Sequence, residues 1–307
     1  DKQNQSYNNL VRPKKALGQH FLVDLNIARN IVNAMSNDVD IIVEVGAGMG
    51  VLTQYIIEDN LEKLRVVEID TESVEYLKNA YPQLGEHLIH GDFLKTDLSK
   101  FATEKIGVIG NFPYNISSQI FFQVLKYRNQ VDEVVGMIQK EVAERLAAGP
   151  GSKTYGILSV LLQAWYDIEY LFTVHENVFN PPPKVKSAVI RMRRNDVTQL
   201  DCDEKLFVTV VKQAFNQRRK TMRNSLRSLI PQEMIAPIQK TKVEYLHGHN
   251  PRLHTDEILV ALSMLSIKDE NCRKALEQLP KLEGCQVHST VMLSEVDHKV
   301  FKKLGVG

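Results

Sequence analysis

From residue 41 the chain alternates short apolar runs with longer amphipathic ones, and that alternation limits its fold more than any other feature. Residues 41–45, Ile-Ile-Val-Glu-Val, read as a buried strand that stops at Gly46. Residues 65–70, 87–92 and 106–111 repeat the strand pattern, while 51–57 and 71–80 have helical spacing. Strands that alternate with helices must cross over on the faces of a sheet, so an α/β fold with a parallel, doubly wound sheet is expected. Farther on, 133–139 reads as a strand, 141–148 and 157–165 as helices, and 168–174 and 187–193 as closing strands. The last two are joined through Phe179-Asn180-Pro181-Pro182-Pro183, which cannot be helical and is expected to break sheet pairing. A connection of that length between neighbouring late strands predicts an antiparallel pair at one edge.

After Arg194 the texture changes. Residues 206–215, 222–229 and 255–265 have i, i+3, i+4 apolar spacing, which predicts a small C-terminal helical domain. The expected division is 1–198 for the α/β domain, 199–267 for the helical one, and 268–307 for a tail too short to form its own core. A chain of 307 residues with 43% apolar content fits two such domains. No stretch approaches the ~20 apolar residues that span a bilayer, and the start is polar, so a soluble, cytoplasmic protein with no membrane partner is expected. Cys202, Cys272 and Cys285 are an odd number without CxxC spacing, which argues against disulfides and thiolate zinc and for a reducing compartment. His247, His249 and His254 form the only local histidine cluster, no ligand pattern of carboxylates or cysteines accompanies them, and no metal site is expected.

The first strand runs into Glu44-Val45-Gly46-Ala47-Gly48-Met49-Gly50. Glycines there let the backbone turn sharply and let a ligand approach main-chain N–H groups at the carboxyl ends of parallel strands. The spacing is GxGxG rather than GxGxxG, so a nicotinamide dinucleotide is less well supported than a nucleoside-type cofactor without a pyrophosphate. A tight turn without a ligand is the bland alternative. Two further strand ends weigh against it. Glu68 is expected to end the second strand, where a carboxylate can accept both hydroxyls of a ribose. Asp92 is expected to end the third, where it can accept an exocyclic adenine amine. Each alone is also an ordinary strand-end acid or helix cap. Together they describe a pocket for an adenosine with a charged side chain, which S-adenosylmethionine is.

The fourth strand ends in Gly110-Asn111-Phe112-Pro113-Tyr114-Asn115-Ile116-Ser117. An adenine N6 is a poor nucleophile because its lone pair is delocalised into the ring. If the Asn111 side-chain oxygen and the Pro113 carbonyl accept its two N–H bonds, N6 can become more tetrahedral and aim its lone pair at a methyl carbon. Proline constrains the backbone and donates no competing N–H. Tyr114 can stack on a base drawn out of its helix, worth ~1–3 kcal/mol. A sulfonium donor leaves as a neutral thioether, so alignment matters more than acid–base help, and no general base is nominated. An Asx-type turn is the bland reading of the tetrapeptide.

Asn-Phe-Pro-Tyr in this place resembles the signature of methyltransferases acting on planar nitrogen, and the longer GNFPYNISS resembles the ribosomal RNA adenine N6,N6-dimethyltransferase family of the small subunit. The resemblance implies a Rossmann-like S-adenosylmethionine-dependent methyltransferase sheet followed by a helical domain, in an enzyme that dimethylates two adjacent adenosines near the 3′ end of small-subunit rRNA. Its implied partner is that RNA within the small-subunit particle, and a monomer is expected. Lys15-Ala16-Leu17-Gly18-Gln19-His20-Phe21-Leu22 resembles the family's N-terminal cofactor segment and implies that His20 and Leu22 border the cofactor; by chemistry alone His20 is equally a helix-start polar residue. Phe179 with Pro181-Pro182-Pro183-Lys184-Val185-Lys186-Ser187 resembles the family's late loop, whose aromatic forms the second face of a clamp on the target base. The expected cofactor-binding set is therefore His20, Leu22, Gly46, Glu68, Asp92 and Asn111, and the expected catalytic set Asn111, Pro113, Tyr114 and Phe179.

The overall formal charge of +1 argues against a nucleic-acid partner until it is divided. Residues 16–178 carry −10 and residues 179–245 carry +8. Within the basic block, 212–227 contains Lys212, Arg218, Arg219, Lys220, Arg223 and Arg227 and no acid. Arg219, Arg223 and Arg227 recur every fourth residue, one face of a helix suited to phosphates, although a basic face is usually only solvated. Residues 217–224 also resemble the family's helical-domain motif. Arg218, Arg219, Lys220, Arg223 and Arg227 are the expected RNA contacts.

Three rivals remain at this point. One is the related family that methylates an adenosine of large-subunit rRNA and confers macrolide resistance, disfavoured by Gln217-Arg218-Arg219-Lys220-Thr221. Another is a non-catalytic ribosome-assembly factor, disfavoured by the intact Asn111-Phe112-Pro113-Tyr114. The third, a nicotinamide dehydrogenase, is disfavoured by the turn spacing. Residues 285–294 resemble the C-terminal end of a family of uncharacterised bacterial proteins, which fits a fused fragment or a sequence-assembly join and carries no assigned activity.

Overall fold

The computed structural model describes residues 11–101, 105–217, 219–220, 222–226 and 228–229. The expected helix over 255–265, the histidine cluster and the tail lie outside them. The chain divides into two compact units: residues up to Ala147 together with Leu162–Asp196, and Ala148–Leu161 together with the described residues from Val197 on.

In the first unit a short strand β1 (Phe21–Leu22) leads into helix α1 (Leu25–Asn33), whose first turn is capped by Asp24 Oδ1 accepting the N–H groups of Asn26 and Ile27 at 2.9 and 3.1 Å. Then follow β2 (Ile41–Val45), α2 (Thr53–Asn60), β3 (Leu64–Glu68), α3 (Thr71–Ala80), β4 (Leu88–His90), β5 (Ile106–Asn111), α4 (Ser117–Lys126), β6 (Val131–Gln139) and α5 (Lys140–Ala147). After helix α6 (Ile157–Gln163), which belongs up to Leu161 to the second unit, β7 (Tyr166–Val174), β8 (Phe179–Asn180) and β9 (Ser187–Arg194) complete the order up to Arg194.

Seven strands form one sheet in the order β4-β3-β2-β5-β6-β9-β7. The first five are parallel, and β9 runs antiparallel to both β6 and β7, so the late antiparallel pair sits at one edge as expected. Consecutive residues of β2, β5 and β6 are buried, and since successive side chains point to opposite faces, both faces of the sheet are covered. The chain builds outward from β2 to β3 and β4, then returns to place β5 on the other side of β2. That reversal opens a crevice at the carboxyl ends of β2 and β5, where α/β sheets bind ligands.

Two expectations need correction. The proline-rich connection does not exclude pairing: Phe179–Asn180 pairs antiparallel with Phe21–Leu22, because the prolines begin only after the ladder ends. Strand β4 ends at His90, so Asp92 lies beyond it and caps a single 3-10 turn (Phe93–Lys95), its Oδ1 accepting the Leu94 N–H at 2.9 Å.

In the second unit helix α7 (Glu204–Asn216) is capped by Asp203, whose Oδ1 accepts the Leu206 N–H at 2.7 Å. It buries Phe207, Val210, Val211, Ala214 and Phe215, and Phe215 meets Tyr155 edge-on at 6.0 Å. Gln213 Nε2 donates to the Ser225 carbonyl at 3.0 Å and ties down the short α8 (Met222–Leu226). Among the described residues no helix is long and apolar enough to cross a membrane.

Candidate active site

A cleft of about 170 Å³, open to solvent, lies at the carboxyl ends of β2, β3, β4 and β5. The glycine turn forms its floor. Gly46, Gly48 and Gly50 all have positive φ, at 69°, 56° and 79°. A Cβ on Gly48 would stand 2.8 Å from the Phe21 ring, whereas one on Gly46 would meet only Pro113 at 4.0 Å and would project into the cleft. Glycine at 46 therefore leaves the turn open to close approach of a ligand, whereas glycine at 48 is required by the packing of Phe21.

Buried carboxylates hold that turn. Glu68, at the end of β3 as expected, accepts the Gly48 N–H on Oε2 at 2.9 Å and the Asp70 N–H on Oε1 at 2.8 Å. Both its oxygens therefore brace main chain and keep only their remaining lone pairs for a ligand. Glu44, behind the turn, accepts the Thr53 hydroxyl at 2.7 Å. Burial pushes the Glu44 carboxyl up to about 8 against the pull of Thr53, and the neighbouring Glu68 adds to the rise. Burial likewise raises Glu68 above the usual carboxylate range, opposed by the main-chain N–H groups of Asp70, Gly48 and Ile69. Asp70 goes the other way: burial favours its neutral form, but Lys14 and Ser73 outweigh that and hold it low.

The tetrapeptide after β5 is seated by its phenylalanine. Phe112 is buried, packs edge-on against Phe121 at 6.0 Å, and lies against Gly110 and Gly136. A Cβ on Gly136 would come within 2.4 Å of its ring, and one on Gly110 within 2.6 Å of the Val45 carbonyl. With Phe112 fixed and its N–H bonded to the Met137 carbonyl at 3.0 Å, Asn111, Pro113 and Tyr114 are directed to the cleft that they line. Asn111 Nδ2 donates to the His20 carbonyl at 2.8 Å. That bond fixes which way the amide points and leaves Oδ1 as the acceptor.

His20 ties this corner together. Its Nδ1 lies 2.9 Å from the Pro181 carbonyl, and its ring is 5.3 Å from that of Tyr114, tilted by 31°. The Tyr114 hydroxyl bonds to that of Ser187. The same strap is held at Gly18, where the φ of 62° and a Cβ position 2.7 Å from Asn115 Oδ1 both require glycine.

Of the residues expected from sequence, the structure brings His20, Gly46, Glu68, Asp92, Asn111, Pro113 and Tyr114 to one cleft. Leu22 and Phe179 are not part of its lining. They face each other across the β1–β8 ladder, 3% and 4% exposed, within the apolar core. Arg219 and Lys220 are exposed in the second unit, Arg223 falls in α8, and Arg218 and Arg227 lie outside the described residues. Sequence reading missed Ile69, which lines the cleft although 51% exposed and could have been flagged as an apolar residue directly after the strand-end acid. Ser187, named there only as the last residue of the late-loop resemblance, received no role of its own.

A family model described as ribosomal RNA adenine dimethylase matches residues 11–250. The chain belongs to that family. It is an rRNA adenine dimethyltransferase, and S-adenosylmethionine is its cofactor. The cleft fits that group: the turn has no Cβ at Gly46, Glu68 and Asp92 offer acceptors, and Ile69, Phe93 and Leu94 give a flat base an apolar lining. A protein of Parabacteroides distasonis named ribosomal RNA small subunit methyltransferase A is 64% identical over 222 residues, 72% of this chain and 83% of that one. One of the same name from Cytophaga hutchinsonii is 58% identical over 240 residues, 77% of this chain and 93% of that one. The fold is shared with a dimethyladenosine transferase of Plasmodium falciparum, TM-score 0.61 at 22% identity over 93% of this chain and 98% of that one. It is also shared with a 23S rRNA methyltransferase, TM-score 0.55 at 21% identity over 71% and 88% of the two chains. A second model, for the C-terminal part of a domain of unknown function, DUF1846, matches residues 219–307.

Proposed function

We propose that this rRNA dimethyltransferase acts on the small ribosomal subunit, converting two adjacent adenosines near the 3′ end of its rRNA to N6,N6-dimethyladenosine. The relatives at 58–64% identity carry the small-subunit name, which supports this target over the large subunit. The observation that carries the chemistry is the Asn111 amide, with Nδ2 held by the His20 carbonyl and Oδ1 left to accept. The Pro113 carbonyl takes the Ile116 N–H at 3.2 Å and retains a second lone pair. These two oxygens accept the two N6 protons of adenine and draw its nitrogen toward tetrahedral geometry. When bound, S-adenosylmethionine supplies a methyl group on a sulfonium that departs as a neutral thioether. N6 releases one proton to solvent for each methyl gained, so alignment by Asn111 and Pro113 is the main contribution of the chain.

Tyr114 supplies one stacking face for the base. Phe179 supplies the other only if its ring turns out of its packing against Leu22 when RNA enters. Glu68 and Asp92 hold the ribose and the adenine amine of the cofactor, with His20 at its border. Arg218, Arg219, Lys220, Arg223 and Arg227 contact phosphates in the helical region 199–267. A monomer working on the small-subunit particle in the cytoplasm fits this reading, in which no activity is assigned to the 268–307 tail.

The decisive experiment incubates the protein with labelled cofactor and each ribosomal subunit in its unmodified form, then maps the modified nucleotide by mass spectrometry. Two dimethyladenosines in small-subunit RNA are expected, and label in large-subunit RNA alone would reverse the assignment. For the phosphate contacts, Arg219→Ala and Lys220→Ala should each lower the slope of log affinity against log salt by about 0.9. An unchanged slope removes that residue from the RNA surface.

A further inference from the structure

Tyr114 is gripped at its polar tip by Ser187. Ser187 is the first residue of β9, fully buried, and paired in register with Gln139 of β6 on one side and Val174 of β7 on the other. Two ladders fix its backbone, so its hydroxyl cannot follow Tyr114 if that ring swings. Burial raises the Tyr114 phenol above its ordinary range despite the Ser187 bond, so the contact joins two neutral hydroxyls. His20 touches only the ring; Ser187 holds the end of the lever.

The two methyl transfers to one adenine make unequal demands on this grip. An unmodified N6 brings two N–H bonds to Asn111 Oδ1 and Pro113 O. After one transfer N6 has a single N–H and a methyl, and one acceptor goes unused. Stacking must then supply a larger share of the alignment. We propose that Ser187 is a positioning residue for the second methyl transfer, fixing the Tyr114 ring against which the monomethylated base is aligned. In both transfers an N6–C bond forms as the C–S bond breaks, the sulfur keeps the electron pair and one N6 proton passes to solvent; Ser187 exchanges no proton. The inference rests on Tyr114 contacting the base, and its test keeps the two apart.

The test compares Ser187→Ala, Tyr114→Phe, the double variant and Tyr114→Ala on unmodified small subunits, with N6-methyl- and N6,N6-dimethyladenosine quantified by mass spectrometry. Cofactor affinity and thermal midpoint are measured beside them. Ser187→Ala and Tyr114→Phe should each slow the second transfer about 2- to 10-fold more than the first, the worth of one hydrogen bond, so that monomethyladenosine accumulates. The double variant should be no worse than either single one, with cofactor affinity unchanged. A purely structural role would slow both transfers alike. An unaltered product ratio in Ser187→Ala, or effects of the two single variants that multiply, overturns the proposal. Loss of activity in Tyr114→Ala beside an unaltered Ser187→Ala removes only Ser187; normal dimethylation by Tyr114→Ala removes the base contact itself.

Discussion

At the glycine turn the cleft is made of main chain: positive-φ glycines and N–H groups clamped by Glu68, with Glu44 buried behind. Across from it, at the end of β5, the cleft is made of side chains whose positions depend on segments far away in sequence: Asn111 on the His20 carbonyl, Tyr114 on Ser187. The first region cannot be altered without disturbing the fold, because the same bonds shape the turn and present it to a ligand. The second can lose a functional atom and leave the sheet intact, because Phe112 alone seats the tetrapeptide in the core. Cofactor binding should therefore be coupled to stability, and base alignment should be separable from it.

Asn111→Ala is the largest test of that contrast. It removes the acceptor proposed for N6 and should cut methyl transfer by ~100-fold or more, the cost of misaligned reactants. Cofactor affinity by calorimetry and the thermal midpoint should stay near those of the unaltered chain. A matching fall in both would show the two regions to be one unit. Glu68→Gln should behave oppositely. It replaces one accepting oxygen by an NH2 donor, so that either Gly48 N–H or Asp70 N–H loses its acceptor, costs about 1–3 kcal/mol of stability, and weakens cofactor binding by about 10-fold or more. Stable protein with weak binding would mean that Glu68 serves the ligand alone.

The contrast also explains what could be read from sequence. The sheet was legible because burial on both faces leaves near-continuous apolar strands, and the turn because glycine marks backbone that no other residue tolerates. Asn111 and Pro113 stand on a local pattern with its own chemical reason. The partners of the second region leave no such trace: His20 and Asn111 are 91 residues apart, and Tyr114 and Ser187 are 73 apart. Asp92 was misplaced because its cap on a 3-10 turn and a strand end look alike in sequence. Pairing of Phe179 with Leu22 was missed because three prolines next to it dominate the local reading.

Phe179 belongs to neither region cleanly, and its substitutions place it. Phe179→Ala should destabilise the fold by about 3–5 kcal/mol, since its ring is core. Phe179→Leu restores most of the apolar volume but no flat face. Recovered thermal stability with methyl transfer still about 10-fold down at limiting RNA is expected if the ring turns onto the base, from the ~1–3 kcal/mol of one stack. Full activity of Phe179→Leu would leave the ring a structural role only and take it out of the clamp.

The smallest effect should separate the regions by pH. Glu44 releases its proton near 8 when folded and at its ordinary 4.5 when unfolded, so between those values the folded state binds more protons. Stability must then fall as pH rises from about 4.5 to about 8 and level off above. Glu68, raised by burial as well, adds to the same slope, whereas Asp70, held low by Lys14 and Ser73, costs stability only as pH falls below its ordinary 3.8. Glu44→Gln keeps an acceptor for the Thr53 hydroxyl and has no proton to lose. Its thermal midpoint should be flatter across pH 4.5–8 and higher than that of the unaltered chain at pH 8, while Asn111→Ala should retain the full slope. Equal slopes in the unaltered chain and Glu44→Gln would mean that the carboxyl behind the turn is ionised throughout, and that Thr53 is bonded to a charge instead of to a neutral buried acid.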